Sequence, residues 1–240
     1  MKAKIQCKDT FPKDTTDKEK RGVLYIAWGS QHVDVVRRSA ASVKASNPEL
    51  GTAIWCAAED DTSGFDLAFS IPDGLARPKV DLLTETPFEE TLYLDNDTIV
   101  RDDLSSLFEL LEKFEICGAH VQLWHRQRHN KRWRTDVPSA FPEINCGVLL
   151  YKSCERVNGF FNSWSKAFVE AGFKVDQVTF RDLLWTSDIK FYVFPAHFNK
   201  RIFEASELIY SDQPKAKILH LELLRPQKNP IMRWIADRVR

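Results

Sequence analysis

The sequence predicts an α/β fold: a mixed, mainly parallel sheet flanked by helices, in a single domain. Three observations lead there. Short apolar runs, such as residues 23–28 (VLYIAW) and 91–94 (TLYL), alternate with stretches whose apolar residues recur at helical spacing. The runs are almost continuously apolar, as strands covered on both faces must be. Polar or turn-forming residues close them, Gly29 after the first and Asp95-Asn96-Asp97 after the later one.

The elements follow in chain order. Residues 23–28 are too short for a helix and read as a buried strand. Val33, Val36, Ala40 and Val43 then mark a helix ending near Asn47-Pro48. Residues 52–57 give a second strand and 67–71 a short third. After Pro78, Val80, Leu82 and Leu83 predict a helix that stops before Pro87. The strand at 91–94 precedes a helix starting near Asp103 and carrying Leu104, Leu107, Phe108 and Leu111. Residues 116–121 and 146–151 read as strands on either side of a long basic and aromatic loop, and 155–171 and 176–185 as helices. Late strands are expected at 190–194 and 215–221, and a final helix at 231–239.

Composition narrows the function. The 240 residues carry 34 Lys+Arg against 34 Asp+Glu, so no net charge draws the chain to nucleic acid. Hydrophobic residues make up 43 %, which excludes global disorder. No apolar run approaches the ~18 residues of a membrane span. The 9 glycines include no G-x-G-x-x-G and no phosphate-binding P-loop. The 5 cysteines form no C-x-x-C and fall mostly in or beside apolar runs, which fits buried thiols in a reducing compartment. Residues 1–20 read as a polar arm without the apolar core of a secretory signal, so the expected location is cytoplasmic. The main domain is expected over 21–228. Residues 229–240 are expected to form a basic amphipathic helix suited to packing or to a peripheral membrane contact.

Ligands of such sheets collect beyond the carboxyl ends of the strands. Asp95 and Asp97 stand there, and residues i and i+2 of an extended chain share a face. Two carboxylates so placed suit one hard divalent cation, Mn²⁺ or Mg²⁺, although aspartates also close turns and cap helices.

The run Leu92-Tyr93-Leu94-Asp95-Asn96-Asp97-Thr98-Ile99-Val100, with Asp102-Asp103-Leu104 after it, resembles the metal site of the GT-A glycosyltransferases, and of glycosyltransferase family 8 in particular. Other segments resemble that family in the same order. Lys79 matches its basic residue facing the donor. Ile144-Asn145-Cys146-Gly147-Val148 matches its F-N-S-G-V stretch, and Asp176-Gln177 its D-Q pair at a helix start. His220 matches the third metal ligand. Where the family has a Thr and an acidic residue after the first strand, this chain reads Ala27-Trp28-Gly29-Ser30-Gln31-His32; after His220 it keeps only Arg225 and Pro226.

The resemblance implies a GT-A-like fold and a retaining transfer of sugar from a nucleotide diphosphate, UDP favoured, to a carbohydrate or other hydroxyl acceptor. It implies a Mn²⁺ or Mg²⁺ site of Asp95, Asp97 and His220. Asp176 and Gln177 take the catalytic positions. Ala27, Trp28, Lys79, Asn96, Asn145, Gly147 and Arg225 fall on the donor side. Trp124 or Trp133, in the basic loop, is a candidate for stacking on the acceptor sugar. Two other readings use the same residues: a haloacid-dehalogenase-type phosphatase with Asp95 as nucleophile, and a non-catalytic glycan-binding protein on a transferase fold.

Overall fold

The computed structural model describes residues 19–27, 29, 32–122, 131–201 and 214–221. Its strands are β1 (Glu19–Ile26), β2 (Gly51–Cys56), β3 (Leu67–Ser70), β4 (Phe88–Leu94), β5 (Thr98–Val100), β6 (Ile116–His120), β7 (Ile144–Lys152), β8 (Phe191–Val193) and β9 (Ile218–His220). Seven form one sheet in the order β3-β2-β1-β4-β7-β6-β8, and β5 pairs with β9 in a separate ribbon. The block β3-β2-β1-β4 is parallel, as is β6 with β8. β7 runs antiparallel to both its neighbours. Its reversal brings the start of β7 to the edge where the parallel strands end. The predicted mixed, mainly parallel sheet is therefore present.

Helices α1 (Val33–Ser46), α2 (Pro78–Asp81), α3 (Ser105–Phe108), α4 (Glu155–Ala171) and α5 (Gln177–Thr186) supply two outer layers. Alternate residues of each central strand feed opposite cores. Val23, Tyr25, Ile54 and Leu92 meet Val36, Ala40 and Val43 of α1 and Leu107 of α3. Leu24, Trp55, Tyr93 and Tyr151 meet Val157, Phe161 and Trp164 of α4 and Phe180 of α5. Burial on both faces explains why the strands read as continuous apolar runs.

Several elements differ from expectation. The helix after Pro78 is a single α turn followed by a 3₁₀ turn, Leu83–Glu85. Thr86 precedes Pro87 and is extended, φ −69° and ψ 139°, which ends the helical path. The helix expected from Asp103 begins at Ser105 and passes into a 3₁₀ turn, Glu109–Glu112. The Asp103 carboxylate accepts from the Ser105 amide (3.3 Å) and hydroxyl (2.6 Å), a local turn that displaces the first helical residues. The strand β5 has no counterpart in the sequence reading, and the one expected over 215–221 shrinks to β9 and leaves the main sheet to pair with it. β1 begins at Glu19, so the last two residues of the expected arm join the sheet. The helix expected at 231–239 lies outside the described residues. Cys56, Cys117 and Cys146 are free and buried, and Cys154 is free and half-buried. No helix among the described residues is long and apolar enough to cross a membrane.

Candidate functional site

The two aspartates meet, though not by sharing the face of a strand. β4 ends at Leu94, and Asn96 and Asp97 form a turn into β5. The turn is fixed from several sides. The Asp95 amide donates to Gly147 O at 2.7 Å, and the Leu221 amide donates to Asp97 O at 2.7 Å. The Thr98 hydroxyl donates to Asp95 O at 2.9 Å and also contacts Ser39 Oγ at 2.9 Å, which in turn contacts the Tyr25 hydroxyl at 2.9 Å. Across the ribbon Thr98 pairs with His220, which brings the imidazole to the carboxylates.

His220 Nε2 lies 3.3 Å from Asp97 Oδ1 and 3.6 Å from Asp95 Oδ2. One ligand atom from each of the three residues lies within 4.8 Å of the others. Asp97 and His220 are buried, at 0 % and 2 % exposure. His220 Nδ1 is 2.9 Å from Asn199 Oδ1. An amide oxygen only accepts, so Nδ1 carries a hydrogen, and in the neutral ring the lone pair is then on Nε2. That nitrogen is buried with no hydrogen-bond partner. A lone pair facing two carboxylates is repelled unless a cation lies between them. The donor set, with its outer Asn199 contact, thus fits a divalent metal.

Gly147 is what lets these groups approach. Between β6 and β7 the register jumps from Gly118↔Leu149 to Ala119↔Asn145, leaving Cys146, Gly147 and Val148 unpaired on that side. A Cβ on Gly147 would stand 2.3 Å from His220 Cε1 and 2.7 Å from Asp95 Oδ2.

Cations stand on the other side of Asp95. Lys79 Nζ is 3.0 Å from Asp95 Oδ1 and 3.9 Å from Asp176 Oδ2. Burial works against the lysine charge, but the Asp95 and Asp176 carboxylates outweigh it and hold its pKa above the ordinary value. The Tyr93 hydroxyl donates to Asp95 Oδ1 at 2.8 Å, and burial followed by that carboxylate's charge pushes the phenol well above its usual range. Asp176 stands at the N-cap of α5 but makes no side-chain cap bond; its carboxylate turns to Arg77 Nη2 at 3.2 Å. Lys79, Arg77, Tyr93, Asp95, Asn96 and Asp97 line an open cleft of about 530 Å³, together with His32, Ile26 and Val35.

The remaining candidates divide. Asn96 Oδ1 is buried there with no hydrogen-bond partner. Asn145 is buried, and its Oδ1 accepts from the Gly147 amide at 2.9 Å. Gln177 opens α5 and is half-buried. Ala27 is fully buried within the core, its amide bonded to Trp55 O at 2.8 Å. The Arg134 guanidinium covers one face of Trp133 at 4.3 Å from the ring centroid. Trp28 and Arg225 lie outside the described residues. Sequence reasoning missed Arg77, Tyr93 and Asn199. For Arg77 and Tyr93 a signal existed, since each stands two residues from a candidate, Lys79 or Asp95. Asn199 carried none, being brought in only by tertiary contact.

The fold has solved counterparts. Galactosyltransferase LgtC, determined with donor and acceptor sugar analogues, superposes with a TM-score of 0.60 at 17 % identity, over 90 % of this chain and 93 % of that one. Mouse xyloside xylosyltransferase 1 gives 0.56 at 14 %, over 87 % and 99 %. The apo glycosyltransferase GlyE of Streptococcus pneumoniae TIGR4 gives 0.58 at 18 %, over 84 % of this chain and 54 % of that one. The chain has the GT-A fold. In the GT-A frame of this chain, the acid–imidazole cluster and the cleft lie at the strand ends, the edge where ligands of open α/β sheets bind. No protein-family model and no curated protein matches the sequence.

Proposed function

We propose that the chain is a metal-dependent glycosyltransferase of the family 8 type, moving a sugar from a nucleotide diphosphate, UDP by preference, to a hydroxyl of a glycan or other acceptor with retention of configuration. The observation that carries this reading is the Asp95–Asp97–His220 cluster, Asp97 and His220 buried and Asp95 half-buried, whose unpartnered Nε2 faces two carboxylates beside a cleft in a GT-A fold. Those three residues would hold Mn²⁺ or Mg²⁺, which as a Lewis acid supplies charge stabilisation to a leaving diphosphate.

The chain's own groups do the rest. Lys79 adds a positive charge held next to the metal ligands, and Arg225 is the candidate for a second cation toward the diphosphate. Asn145 and Gly147 border the donor, with Asn96 in the cleft beside them; Ala27, fully buried in the core, does not contact it. Asp176 and Gln177, at the start of α5, stand beside the reacting carbon, and Trp133 belongs to the acceptor side. LgtC was solved with donor and acceptor sugar analogues; the same two classes of partner are assigned to this chain, in the cytoplasm. The phosphatase reading is weaker, because both oxygens of Asp95 already face other groups: Tyr93 and Lys79 on one, His220 on the other.

The test is thermal unfolding with a panel of nucleotide sugars, each with and without Mn²⁺. A ligand that binds only the native state raises stability by RT ln(1 + [L]/Kd). The expected result is a shift that needs both Mn²⁺ and one nucleotide sugar and vanishes in Asp97→Asn while the fold persists. A full shift in folded Asp97→Asn overturns the metal assignment. No shift with any pair, together with phosphate release from a monoester, gives the site to a phosphatase.

A further inference from the structure

Behind the acid–imidazole cluster stands a buried amide with one end engaged and the other not. Asn199 is 1 % exposed, and its Oδ1 lies 2.9 Å from His220 Nδ1. Its Nδ2 is buried with no hydrogen-bond partner among the described residues. A buried donor left unmatched costs stability, and an apolar side chain of the same shape would avoid that cost. What an apolar side chain would not supply is the oxygen that faces His220.

The main chain brings Asn199 there by contacts of its own. Phe194 and Phe198, ring centroids 5.9 Å apart, anchor the segment in the core. The 3₁₀ turn Ala196–Phe198 ends at Asn199, whose amide donates to Ala196 O at 3.0 Å. The next residue clasps β9: the Lys200 amide donates to Ile218 O at 2.9 Å, and the His220 amide donates to Lys200 O at 2.9 Å. On the other side of β9, Thr98 of β5 pairs with His220. The backbone of His220 is thus fixed from both sides. Two things remain to be set, the rotation of the ring and the nitrogen that carries its hydrogen. A neutral imidazole can carry it on either nitrogen. On Nε2 the hydrogen would point at Asp97 Oδ1, 3.3 Å away, and stand where a cation would bind. On Nδ1 it meets Asn199, and the Nε2 lone pair faces the carboxylates. An amide oxygen makes that choice without adding a third carboxylate to Asp95 and Asp97.

We propose that Asn199 is a positioning residue for the cation: through Oδ1 alone it keeps the hydrogen of His220 on Nδ1 and turns Nε2 toward the ion. This rests on the metal-site reading above, and its test is metal binding itself, without donor or acceptor. Mn²⁺ is titrated into the wild type, Asn199→Leu and Asn199→Asp, and thermal unfolding of each metal-free protein checks its fold. NMR of the His220 ring nitrogens follows the hydrogen in the Mg²⁺-loaded proteins. Asn199→Leu is close in volume and removes no donor that had a partner. It should fold and bind Mn²⁺ about 10–100-fold more weakly, the usual cost of losing the outer partner of a ligating histidine. Asn199→Asp keeps an acceptor while dropping Nδ2, and should bind at least as tightly as the wild type. In the loaded wild type and Asn199→Asp, the hydrogen should sit on Nδ1 and exchange slowly with water; in Asn199→Leu the slow exchange should be lost. A loaded wild type with the hydrogen on Nε2 overturns the proposal, whatever the variants do. So does wild-type affinity in Asn199→Leu, or a loss in Asn199→Asp as large as in Asn199→Leu, which would make the residue a packing element only. No binding of Mn²⁺ or Mg²⁺ to the wild type sinks the metal-site reading and this inference with it.

Discussion

Gly147 shows how one missing side chain makes the site. Glycine is often needed because its backbone turns where other residues cannot, yet Gly147 is not among the positive-φ glycines, Gly29, Gly64, Gly74 and Gly172. Its backbone tolerates alanine; its surroundings do not. The added Cβ would fall 2.3 Å from His220 Cε1, 2.7 Å from Asp95 Oδ2 and 3.0 Å from Asn145 Oδ1. His220 is further held by Asn199, so it cannot swing aside without losing that bond. Gly147→Ala is therefore expected to fold, with an overpacking loss of about 1–3 kcal/mol, and to lose most of its affinity for Mn²⁺. Titration of Mn²⁺ alongside thermal unfolding checks both halves. A variant that binds Mn²⁺ as the wild type does would mean that the imidazole does not take part in the metal site.

At the scale of elements, what the sequence revealed depended on how local the signal was. β1, β2 and β4 are legible because burial on both faces leaves an apolar run within a single strand. β5 is not, because Thr98-Ile99-Val100 is three residues long and becomes a strand only by pairing with Ile218–His220, far along the chain. The carboxylate pair was visible, but its geometry comes from the turn into β5 and not from an extended strand. The helix α5 was legible from Val178, Phe180 and Leu184, whereas its buried charges were not, since Arg181-Asp182 in a helix reads as a solvated face. The structure buries both, at 1 % and 4 % exposure. Arg181 donates to the carbonyls of Phe141 (2.6 Å), Lys131 (3.3 Å), Val137 (3.1 Å) and Pro138 (2.9 Å). Asp182 accepts from the amides of Arg134 (3.2 Å) and Thr135 (2.8 Å). The helix that carries Asp176 and Gln177 at its start thus holds the segment leading into Asn145. Arg181→Met should leave four carbonyls without this donor and cost on the order of 3–5 kcal/mol. Hydrogen exchange should locate the loss at residues 131–141; uniform loosening of the whole chain would argue against a local brace.

The balanced charge of the whole molecule conceals a local imbalance at the strand ends, where Asp95, Asp97, Asp176 and Glu143 converge. Glu143 stands two residues before Asn145, at the head of β7, and is 1 % exposed. Burial is the main reason its pKa rises to about 7; Arg181 and Lys131 oppose the rise, and Asp176 adds to it. The consequence for stability has a definite sign. In the unfolded chain the carboxyl loses its proton near the ordinary glutamate value of 4.5. Between there and about 7 the folded protein keeps a proton that the unfolded chain has released, so this group makes stability fall as pH rises through that window. Glu143→Gln removes the titration while keeping the shape. The variant and the wild type should be equally stable at about pH 4.5, and the variant more stable at about pH 8, by up to the order of 3 kcal/mol. Denaturant unfolding across that range, without metal or nucleotide, measures the difference directly. A variant that becomes less stable than the wild type as pH rises would mean that Glu143 is held as a stabilised anion, with the Arg181 and Lys131 charges prevailing over burial. A gap that widens would mean that the fold tolerates a fourth carboxyl at this edge by keeping it protonated, leaving Lys79 and Arg77 to serve Asp95, Asp176 and whatever ligand the cleft accepts.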